Sequence, residues 1–186
     1  MVLDGQAGVD IDGFSSGRMR FSPDGKRLAY GALAGKRWSV VLDGRAEAPY
    51  DLIWYSPIFS PDSKRVAYVA DTAGKWTVVV DGQAGAECDA IWGLTFSPDS
   101  KRVAYAARRG KKWSAVVDGQ MSGEYEDILG PVFSPDSKRA AYAVGREKRW
   151  SVVVDGQAGE DYEHISGLIF SADGRRLAYA AAKDKK

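Results

Sequence analysis

The chain has 186 residues, and its 26 basic and 25 acidic side chains leave a formal net charge of +1. A chain of this length buries roughly 70% of the surface that its unfolded form exposes, so the fold needs no disulfide or metal. The balanced charge argues against a nucleic-acid partner, which usually requires a clear basic excess. The single cysteine, Cys88, excludes an intrachain disulfide and is typical of a small buried apolar residue.

The sequence contains no segment that predicts membrane insertion or export. It has no run of 18 apolar residues, and Met1–Gly5 lacks the basic and then apolar pattern of a signal peptide. We therefore expect no membrane insertion and no export signal in this chain. A cytoplasmic protein and a fragment of an exported protein both fit these features.

One decapeptide recurs five times along the chain. It reads FSPDGKRLAY from Phe21, FSPDSKRVAY from Phe59 and Phe96, FSPDSKRAAY from Phe133 and FSADGRRLAY from Phe170. A second motif of the type WSVVVDG begins at Trp38, Trp76, Trp113 and Trp150, and a shortened copy, MVLDG, begins at Met1. These spacings predict five structural repeats of about 37 residues, whose similarity is typical of recent duplication or of consensus design.

Each repeat predicts four short strands and no helix, because turn residues interrupt segments rich in Val, Ala, Tyr and Trp. In the third repeat the first strand is Ile91–Ser97, and Ser97–Ser100 forms a type I turn. The second strand is Lys101–Ala107 and the third is Trp113–Val117. A weaker fourth strand follows at Gly123–Asp127.

Both faces of the predicted strands are apolar, one bulky and one small. In the second strand of the second repeat, Val66 and Tyr68 lie on one face and Ala67 lies on the other. A sheet stacked between two neighbours needs this arrangement, since large groups of one sheet must fit over small groups of the next. A radial ring of blades provides such neighbours on both sides.

We therefore predict an all-β, five-bladed β-propeller of four-stranded antiparallel blades that forms one domain over residues 1–186. The last repeat contains two strands within Ile165–Ala182, and Val2–Leu3 followed by Asp4–Gly5 has the sequence of its third strand. We expect the N-terminal strand to close the last blade within a monomer, because closure removes unpaired strand edges. A longer array of repeats and strand exchange into a dimer stay open.

The FSPDGKRLAY-type motif resembles the Pro-Asp repeat of TolB-like propellers, a relative of the WD-repeat family. The resemblance covers the whole chain, although Ala172 replaces the proline in the last copy. It implies a propeller but no single function, since the family includes TolB, which binds envelope partners, and propeller domains that cap some peptidases. The sequence lacks the Gly-His and Trp-Asp pairs of the WD repeat proper, so the buried hydrogen-bond network of that family is not expected.

Three sets of repeated charged residues are candidate sites, and for each set a structural role is favoured. Turns account for the first two sets of aspartates, since Asp is a preferred turn residue. Exposed ion pairs with the basic residues of neighbouring turns account for the third set. The sets are Asp24, Asp62, Asp99, Asp136 and Asp173; Asp4, Asp43, Asp81, Asp118 and Asp155; and Asp51, Asp89, Glu126 and Glu163.

Basic pairs follow the first turn or precede the third strand, and we interpret them as solvated residues that protect strand ends. These pairs are Lys64-Arg65, Lys101-Arg102, Lys138-Arg139, Lys36-Arg37, Lys111-Lys112 and Lys148-Arg149. Near-equivalent carboxylates have near-equal environments, so nothing separates their pKa values for acid and base catalysis. We predict no catalytic residue, no metal site and no cofactor.

Residues that differ between otherwise similar repeats are better candidates for function. The differences collect in the first strand, just before each motif Phe, where aromatic groups at a concave mouth are typical binding anchors. Channel-filling packing is the alternative role for these side chains. The candidate ligand-binding residues are Trp54, Tyr55, Trp92, Leu129, His164, Arg18 and Arg20.

These features favour a non-catalytic propeller that binds a protein or peptide, or that serves as a structural scaffold. A lectin-like carbohydrate binder with sites between blades is one alternative, and an accessory propeller domain of a larger enzyme is another. We expect no nucleic-acid partner.

Overall fold

The computed structural model describes residues 2–3, 6–7, 11–14 and 19–183, and every regular element among them is a β-strand. Within these ranges no helix is long and apolar enough to cross a membrane. The chain divides into two compact units, Met1–Glu87 and Cys88–Lys186.

The first unit contains an N-terminal hairpin and two antiparallel sheets, which we call blades 1 and 2. The hairpin is β1 (Val2–Leu3) and β2 (Gln6–Ala7). Blade 1 is β3 (Gly13–Phe14), β4 (Arg20–Phe21), β5 (Leu28–Ala34), β6 (Arg37–Leu42) and β7 (Arg45–Ala46). Blade 2 is β8 (Leu52–Phe59), β9 (Val66–Thr72), β10 (Lys75–Val80) and β11 (Gln83–Ala84).

The second unit contains three antiparallel sheets, blades 3 to 5. Blade 3 is β12 (Ala90–Phe96), β13 (Val103–Arg109), β14 (Lys112–Val117) and β15 (Gln120–Met121). Blade 4 is β16 (Asp127–Phe133), β17 (Ala140–Arg146), β18 (Arg149–Val154) and β19 (Gln157–Tyr162). Blade 5 is a two-stranded sheet of β20 (His164–Phe170) and β21 (Leu177–Ala182).

In the third repeat the first three predicted strands are confirmed to within two residues, whereas the predicted position of the fourth strand is wrong. In blade 3 the fourth strand, β15, begins directly after the turn at Asp118-Gly119, and not at Gly123. The tight Asp-Gly turn returns the chain at once, so pairing begins at Val117 and Gln120. The predicted completion of blade 5 by the N-terminal strand involves both units and stays a prediction.

A bulge interrupts the first strand of blades 2 to 5, and its length differs between blades. In β12 the pairing with β13 shifts between Trp92 and Thr95, which leaves residues 93–94 in the bulge. In β8 the shift lies between Trp54 and Ile58, which leaves residues 55–57. The extra residue of β8 explains why Phe21 and Phe59 are 38 residues apart while the later motifs follow at 37.

The blades pack through two unlike faces of their second strand. The tyrosine face carries the motif Tyr and the residue two positions before it, as Tyr142 and Ala140 do in blade 4, and the alanine face carries the Ala between them. In the second unit, Ala106 and Ala115 on the alanine face of blade 3 join a buried cluster with Ile128, Tyr142 and Val153 of blade 4. The predicted fit of small groups against large ones is therefore confirmed within each unit.

Candidate functional site

The aspartates of the first repeated set are fixed in turns. The Ser97 hydroxyl donates a hydrogen bond to Asp99 Oδ1 at 2.6 Å and accepts one from the Arg102 backbone N–H at 2.9 Å. Asp99 Oδ1 also accepts from the Lys101 N–H at 3.1 Å. The Ser97 hydrogen bond is the main cause of a lowered pKa at Asp99.

The same bonds form at the other turns of this set, so the turn interpretation is confirmed. The Ser hydroxyl donates to the Asp carboxylate in Ser22–Asp24, Ser60–Asp62, Ser134–Asp136 and Ser171–Asp173. Ser137 takes the left-handed conformation, with a φ of 62°, and its hydroxyl accepts a hydrogen bond from the Asp99 N–H of the preceding blade at 2.8 Å. That bond offsets part of the backbone strain of a non-glycine residue at positive φ.

The aspartates of the second set clamp the start of each second strand. Asp118 Oδ1 accepts from the Val103 N–H at 3.0 Å, and Oδ2 accepts from Arg102 Nε at 2.8 Å. Equivalent pairs of bonds form at Asp43, Asp81 and Asp155. Asp4 lies outside the described residues. These carboxylates are engaged by the fold, and their structural role is confirmed wherever they are described.

Arg102 and Arg139, from two of the basic pairs after the turn, each link two blades of the second unit, which corrects their interpretation as solvated residues. The Arg102 guanidinium lies over the Phe133 ring of blade 4, with Cζ 5.1 Å from the ring centroid. It also donates to the carbonyl oxygens of Ser137 and Lys138. The pairs Arg27–Phe59 and Arg139–Phe170 repeat the contact at 5.5 and 5.4 Å. A guanidinium that both stacks and donates is suited to such a junction.

The third set of carboxylates accepts hydrogen bonds from the turn between the second and third strands of the same blade. Asp89 Oδ2 accepts from the Gly110 N–H at 2.6 Å, and Asp51 Oδ2 accepts from the Ala73 N–H at 2.7 Å. Asp51 also pairs with Arg37 of the preceding blade at 3.1 Å. The ion pair between Arg37 and Asp51 is one of the exposed pairs expected from the sequence. The hydrogen bonds that these carboxylates accept from backbone N–H groups were not predicted.

Trp92 is more exposed than Trp54, the other candidate tryptophan. It has 58% of its surface exposed and lies in β12 directly before the bulge. One edge of its indole lies against blade 4, because a Cβ placed on Gly130 would be 3.5 Å from Cδ1 and 3.8 Å from Nε1. Gly93, at φ +67°, approaches the Gly130 Cα closely, so the backbone of the two bulges packs without side chains. Most of the Trp92 indole therefore faces solvent.

The candidates of the first unit are less uniform. Trp54 is 43% exposed, and its ring meets Trp76 of the same blade edge to face at 5.2 Å. Tyr55 occupies the extra position in the β8 bulge, and the structure gives no description of its side chain. Arg20 is exposed and pairs with Ala29 in blade 1, while Arg18 lies outside the described residues. Trp54 and Trp92 belong to different units.

The two remaining candidates lie in the second unit and differ in environment. Leu129 occupies in β16 the position that Trp92 has in β12, and it is half-buried against the cluster of Ala143, Val152 and Ile165. His164 is exposed and lies two positions before the equivalent residue of β20. Its ring meets Trp150 of blade 4 edge to face at 6.3 Å. Leu129 is thus a packing residue, although it occupies the strand position equivalent to that of the exposed Trp92.

One polar pair in the first unit was missed by sequence reasoning. The Tyr68 hydroxyl of blade 2 donates to Glu47 Oε2 of blade 1 at 2.7 Å. Burial and this carboxylate raise the pKa of Tyr68 far above its usual value. Glu47 occupies the position of Gly85 and Gly159 in other repeats, and that difference was the available signal. Within the described residues no group of three His, Cys, Asp or Glu side chains is arranged to hold a metal.

Comparison with known proteins places the fold. No family model matches the chain, and no curated protein sequence does. The β-propeller domain of the Trilobed protease from Pyrococcus furiosus aligns with a TM-score of 0.60 and 15% identity, over 96% of this chain and 66% of that one. An acylaminoacyl peptidase in complex with Z-Gly-Gly-Phe-chloromethyl ketone aligns at 0.53 and 16% identity, over 91% of this chain and 36% of that one.

TolB from Acinetobacter baumannii also aligns, with a TM-score of 0.46 and 17% identity over 90% of this chain and 44% of that one. The chain therefore spans less than two thirds of the length of these solved structures. All-β blades of the observed topology and the alignment to the Pyrococcus furiosus domain confirm the predicted fold. The chain has a β-propeller fold, and its described residues form five blade sheets, of which the last contains two strands, in addition to the N-terminal hairpin.

Proposed function

We propose that this chain is a non-catalytic propeller module that binds a protein or peptide through the exposed first-strand side chains around Trp92. The repeated carboxylates that would be the candidates for catalysis each accept hydrogen bonds or ion pairs of the fold at Asp99, Asp118 and Asp89. Their engagement in every described repeat supports a structural role for the shared residues. The residues that differ between repeats are then the candidates for binding.

Trp92 carries this proposal. A tryptophan with 58% of its surface exposed loses contact with water when a partner covers it, and such residues are common at the energetic centre of protein interfaces. The equivalent residues of blades 4 and 5 are Leu129 and Ser166. Packing between blades therefore accepts an aromatic, an aliphatic and a polar group at this position. Packing does not require Trp at this position of blade 3, so Trp92 is available to bind a ligand.

The test is a display screen of peptides against the immobilised chain, followed by affinity measurements on the enriched sequences. We expect Trp92→Ala to weaken binding at least tenfold, as expected for an interface anchor worth about 1.4 kcal/mol or more. Met121→Ala is the matched control, because Met121 is an exposed apolar residue (42%) on the fourth strand of the same blade. Trp54→Ala tests the first unit separately.

Several outcomes would contradict the proposal. Binding that survives both Trp92→Ala and Trp54→Ala would remove these residues from the site. Equal losses in Trp92→Ala and Met121→Ala would indicate a general effect on the fold, which a melting curve of each variant detects. A screen that enriches no peptide or protein above the blank would favour a bare scaffold.

A carbohydrate-binding role is the second candidate, and cavities between blades favour it. One cavity of about 500 Å³ lies between blades 3 and 4 and is lined by Arg102, Met121, Lys138 and Tyr142 among others. A second of about 520 Å³ lies between blades 4 and 5, where Tyr179 takes the place of Tyr142. A glycan array separates this role from the first: glycan binding that is lost in Met121→Ala and kept in Trp92→Ala would support it.

An accessory role beside a catalytic domain is the third candidate. The Pyrococcus furiosus structure is described as the propeller domain of a protease, and this chain covers only part of that one. Expression of the chain alone against a peptide substrate panel is the direct test, since turnover without a partner domain would contradict both this role and the non-catalytic proposal.

A further inference from the structure

Arg108 of blade 3 has a guanidinium group that finds no hydrogen-bond acceptor among the described residues. Its Nε atom is buried and makes no hydrogen bond. The guanidinium lies over the Trp113 ring, with Cζ 5.6 Å from the centroid, and pairs with no carboxylate in the described part of the chain. Arg102, by contrast, donates to Asp118 and to two carbonyl groups of blade 4. An unsatisfied buried donor costs free energy, and packing alone does not account for it.

The other repeats do not place a cation at this position of the second strand. The equivalent residues in blades 1, 2, 4 and 5 are Leu33, Asp71, Gly145 and Ala182. The contacts of a blade therefore accept an apolar side chain, an acidic one or none here. The neighbouring carboxylate of blade 4, Glu126, pairs with Lys112 at 3.8 Å and not with Arg108. Arg108 is thus a difference between repeats that the packing does not require.

Arg108 lies on the same face of blade 3 as Trp92. Trp92 pairs with Ala106 of β13, and Arg108 is two positions further along that strand, opposite Trp113 of β14. Paired residues, and residues two positions apart, share one face of a sheet. Trp113 packs against the buried cluster that Ala106 forms with blade 4, so this face is turned to blade 4 inside the second unit. Diagonal neighbours such as Trp92 and Arg108 are roughly 7–8 Å apart, which one ligand can span.

We propose that Arg108 binds a carboxylate of the peptide that covers Trp92, a step that rests on the proposed function and names the ligand class of the same site. A guanidinium donates to both oxygens of a carboxylate in one plane. Contact with the Trp113 ring restricts the Arg108 side chain before the ligand arrives, so less freedom is lost on binding. One positive charge matches one carboxylate, whereas a phosphate group carries about −1.5 to −2 at pH 7.

The spacing of the two side chains specifies the ligand further. An extended peptide advances about 3.3 Å per residue and its side chains alternate, so side chains two positions apart lie about 6.6 Å apart on one side. That distance is close to the diagonal spacing of roughly 7–8 Å between Trp92 and Arg108. The expected ligand is an extended peptide with an apolar residue over Trp92 and an Asp or Glu two positions away, on Arg108.

The first measurement is a melting curve and needs no ligand. Arg108→Leu introduces the residue that blade 1 has at this position, so the melting temperature should rise or stay within about 2 °C of that of the unaltered chain. Arg102→Leu is the matched variant, and it should lower the melting temperature by about 3 °C or more, because it removes bonds that join two blades. An equal loss in Arg108→Leu would make Arg108 a structural residue and overturn the proposal.

The second measurement compares peptides that differ in one charge. Display libraries of short peptides that carry Leu and Glu one residue apart, in either order, are screened beside libraries that carry Leu and Gln. The best-enriched sequence is then synthesised with Glu, Gln or phosphoserine at the tested position. The Glu peptide should bind the unaltered chain at least about tenfold more tightly than the Gln peptide. Arg108→Leu should reduce this ratio to about one, whereas Lys111→Gln, which removes a charge from the exposed turn after β13, should keep it.

The role of Arg108 and the proposed function fail in different ways. Glu and Gln peptides that bind equally well, and that lose affinity in Trp92→Ala, would overturn the role of Arg108 and leave the proposed function in place. A ratio that survives in Arg108→Leu, or that falls as far in Lys111→Gln, would also overturn that role. Tighter binding of the phosphoserine peptide than of the Glu peptide would overturn the assignment of a carboxylate. Absence of binding by every peptide would contradict both proposals.

Discussion

Two regions of each blade show opposite behaviour, although they adjoin each other in the sequence. The turn after the motif Phe keeps the same residues and bonds from blade to blade, as the Ser97–Asp99 and Ser134–Asp136 pairs show. The bulge just before the same Phe changes in length and in side chains, from residues 55–57 in β8 to residues 93–94 in β12. In a repeat protein, bonds that recur belong to the fold, and differences that the packing accepts are available for binding.

The largest effect expected of a single substitution lies in the recurring region, at Asp118. Replacement by Ala leaves the Val103 N–H without its acceptor, removes the ion pair with Arg102 and places Ala at a φ of 52°. We expect a loss of about 2–4 kcal/mol in the free energy of unfolding, measured by denaturant titration. Asp118→Asn is the control, because its amide oxygen still accepts from Val103 and Asn tolerates positive φ. Equal losses of stability in Asp118→Ala and Asp118→Asn would show that the hydrogen bond to Val103 and the positive φ do not account for the effect.

A smaller loss is expected at the turn serine. Ser97 is fully buried, and its hydroxyl is the acceptor for the Arg102 N–H. Ser97→Ala should cost about 1–2 kcal/mol, since a buried donor is left unsatisfied. The matched variant is Ser171→Ala in blade 5, whose hydroxyl makes the same bonds but is half-buried. Water replaces the lost bond more easily there, so a larger loss at Ser171 than at Ser97 would contradict this reasoning.

Acidic pH should lower the stability that the turn aspartates contribute to the fold. Hydrogen bonds from the turn serines lower the pKa of Asp24, Asp99, Asp136 and Asp173. A carboxyl with a lower pKa in the folded state contributes stability above its unfolded value of about 3.9, and this contribution disappears as pH falls through the folded value. We expect the melting temperature to fall between about pH 5 and pH 2. The melting temperature of the Asp136→Asn variant should fall less steeply with pH than that of the unaltered chain. An equal dependence on pH in the two proteins would exclude Asp136 as a contributor.

The recurring region was predictable from the sequence because its signals are local. Pro and Asp mark the turn, and the alternation of Val66, Ala67 and Tyr68 marks the two faces. The role of Arg102 was missed because its partner, Phe133, is 31 positions away in the next blade, and no local pattern encodes that contact. Glu47 and Tyr68 illustrate the same limit, since their bond joins two blades.

The candidate site was predictable only as a list of differing residues. The sequence located the variable segment, but the exposure of Trp92 depends on how closely Gly93 and Gly130 bring two bulges together. Likewise, Leu129 and Trp92 are equivalent in register, yet one is half-buried and the other is mostly exposed. Neighbouring blades decide these environments, and a single repeat does not contain that information.

The smallest effect is expected where the comparison is tested most directly, in the bulge of β8. Deleting Tyr55 shortens this bulge to the length found in β12, and the paired residues on both sides, Trp54 and Ile58, keep their partners. Because β12 shows that a bulge of this length fits the fold, the melting temperature should change by no more than about 4 °C, which corresponds to less than about 1 kcal/mol.

Deleting Ile53 instead is the matched control. That change also removes one residue from β8, but it moves Trp54 into the position of a buried side chain that pairs with Ala70. Since a one-residue shift reverses which side chains face the core, this variant should lose most of the cooperative melting of the first unit. If deletion of Tyr55 were as damaging as deletion of Ile53, the bulge would belong to the fold and would no longer be the segment free for binding.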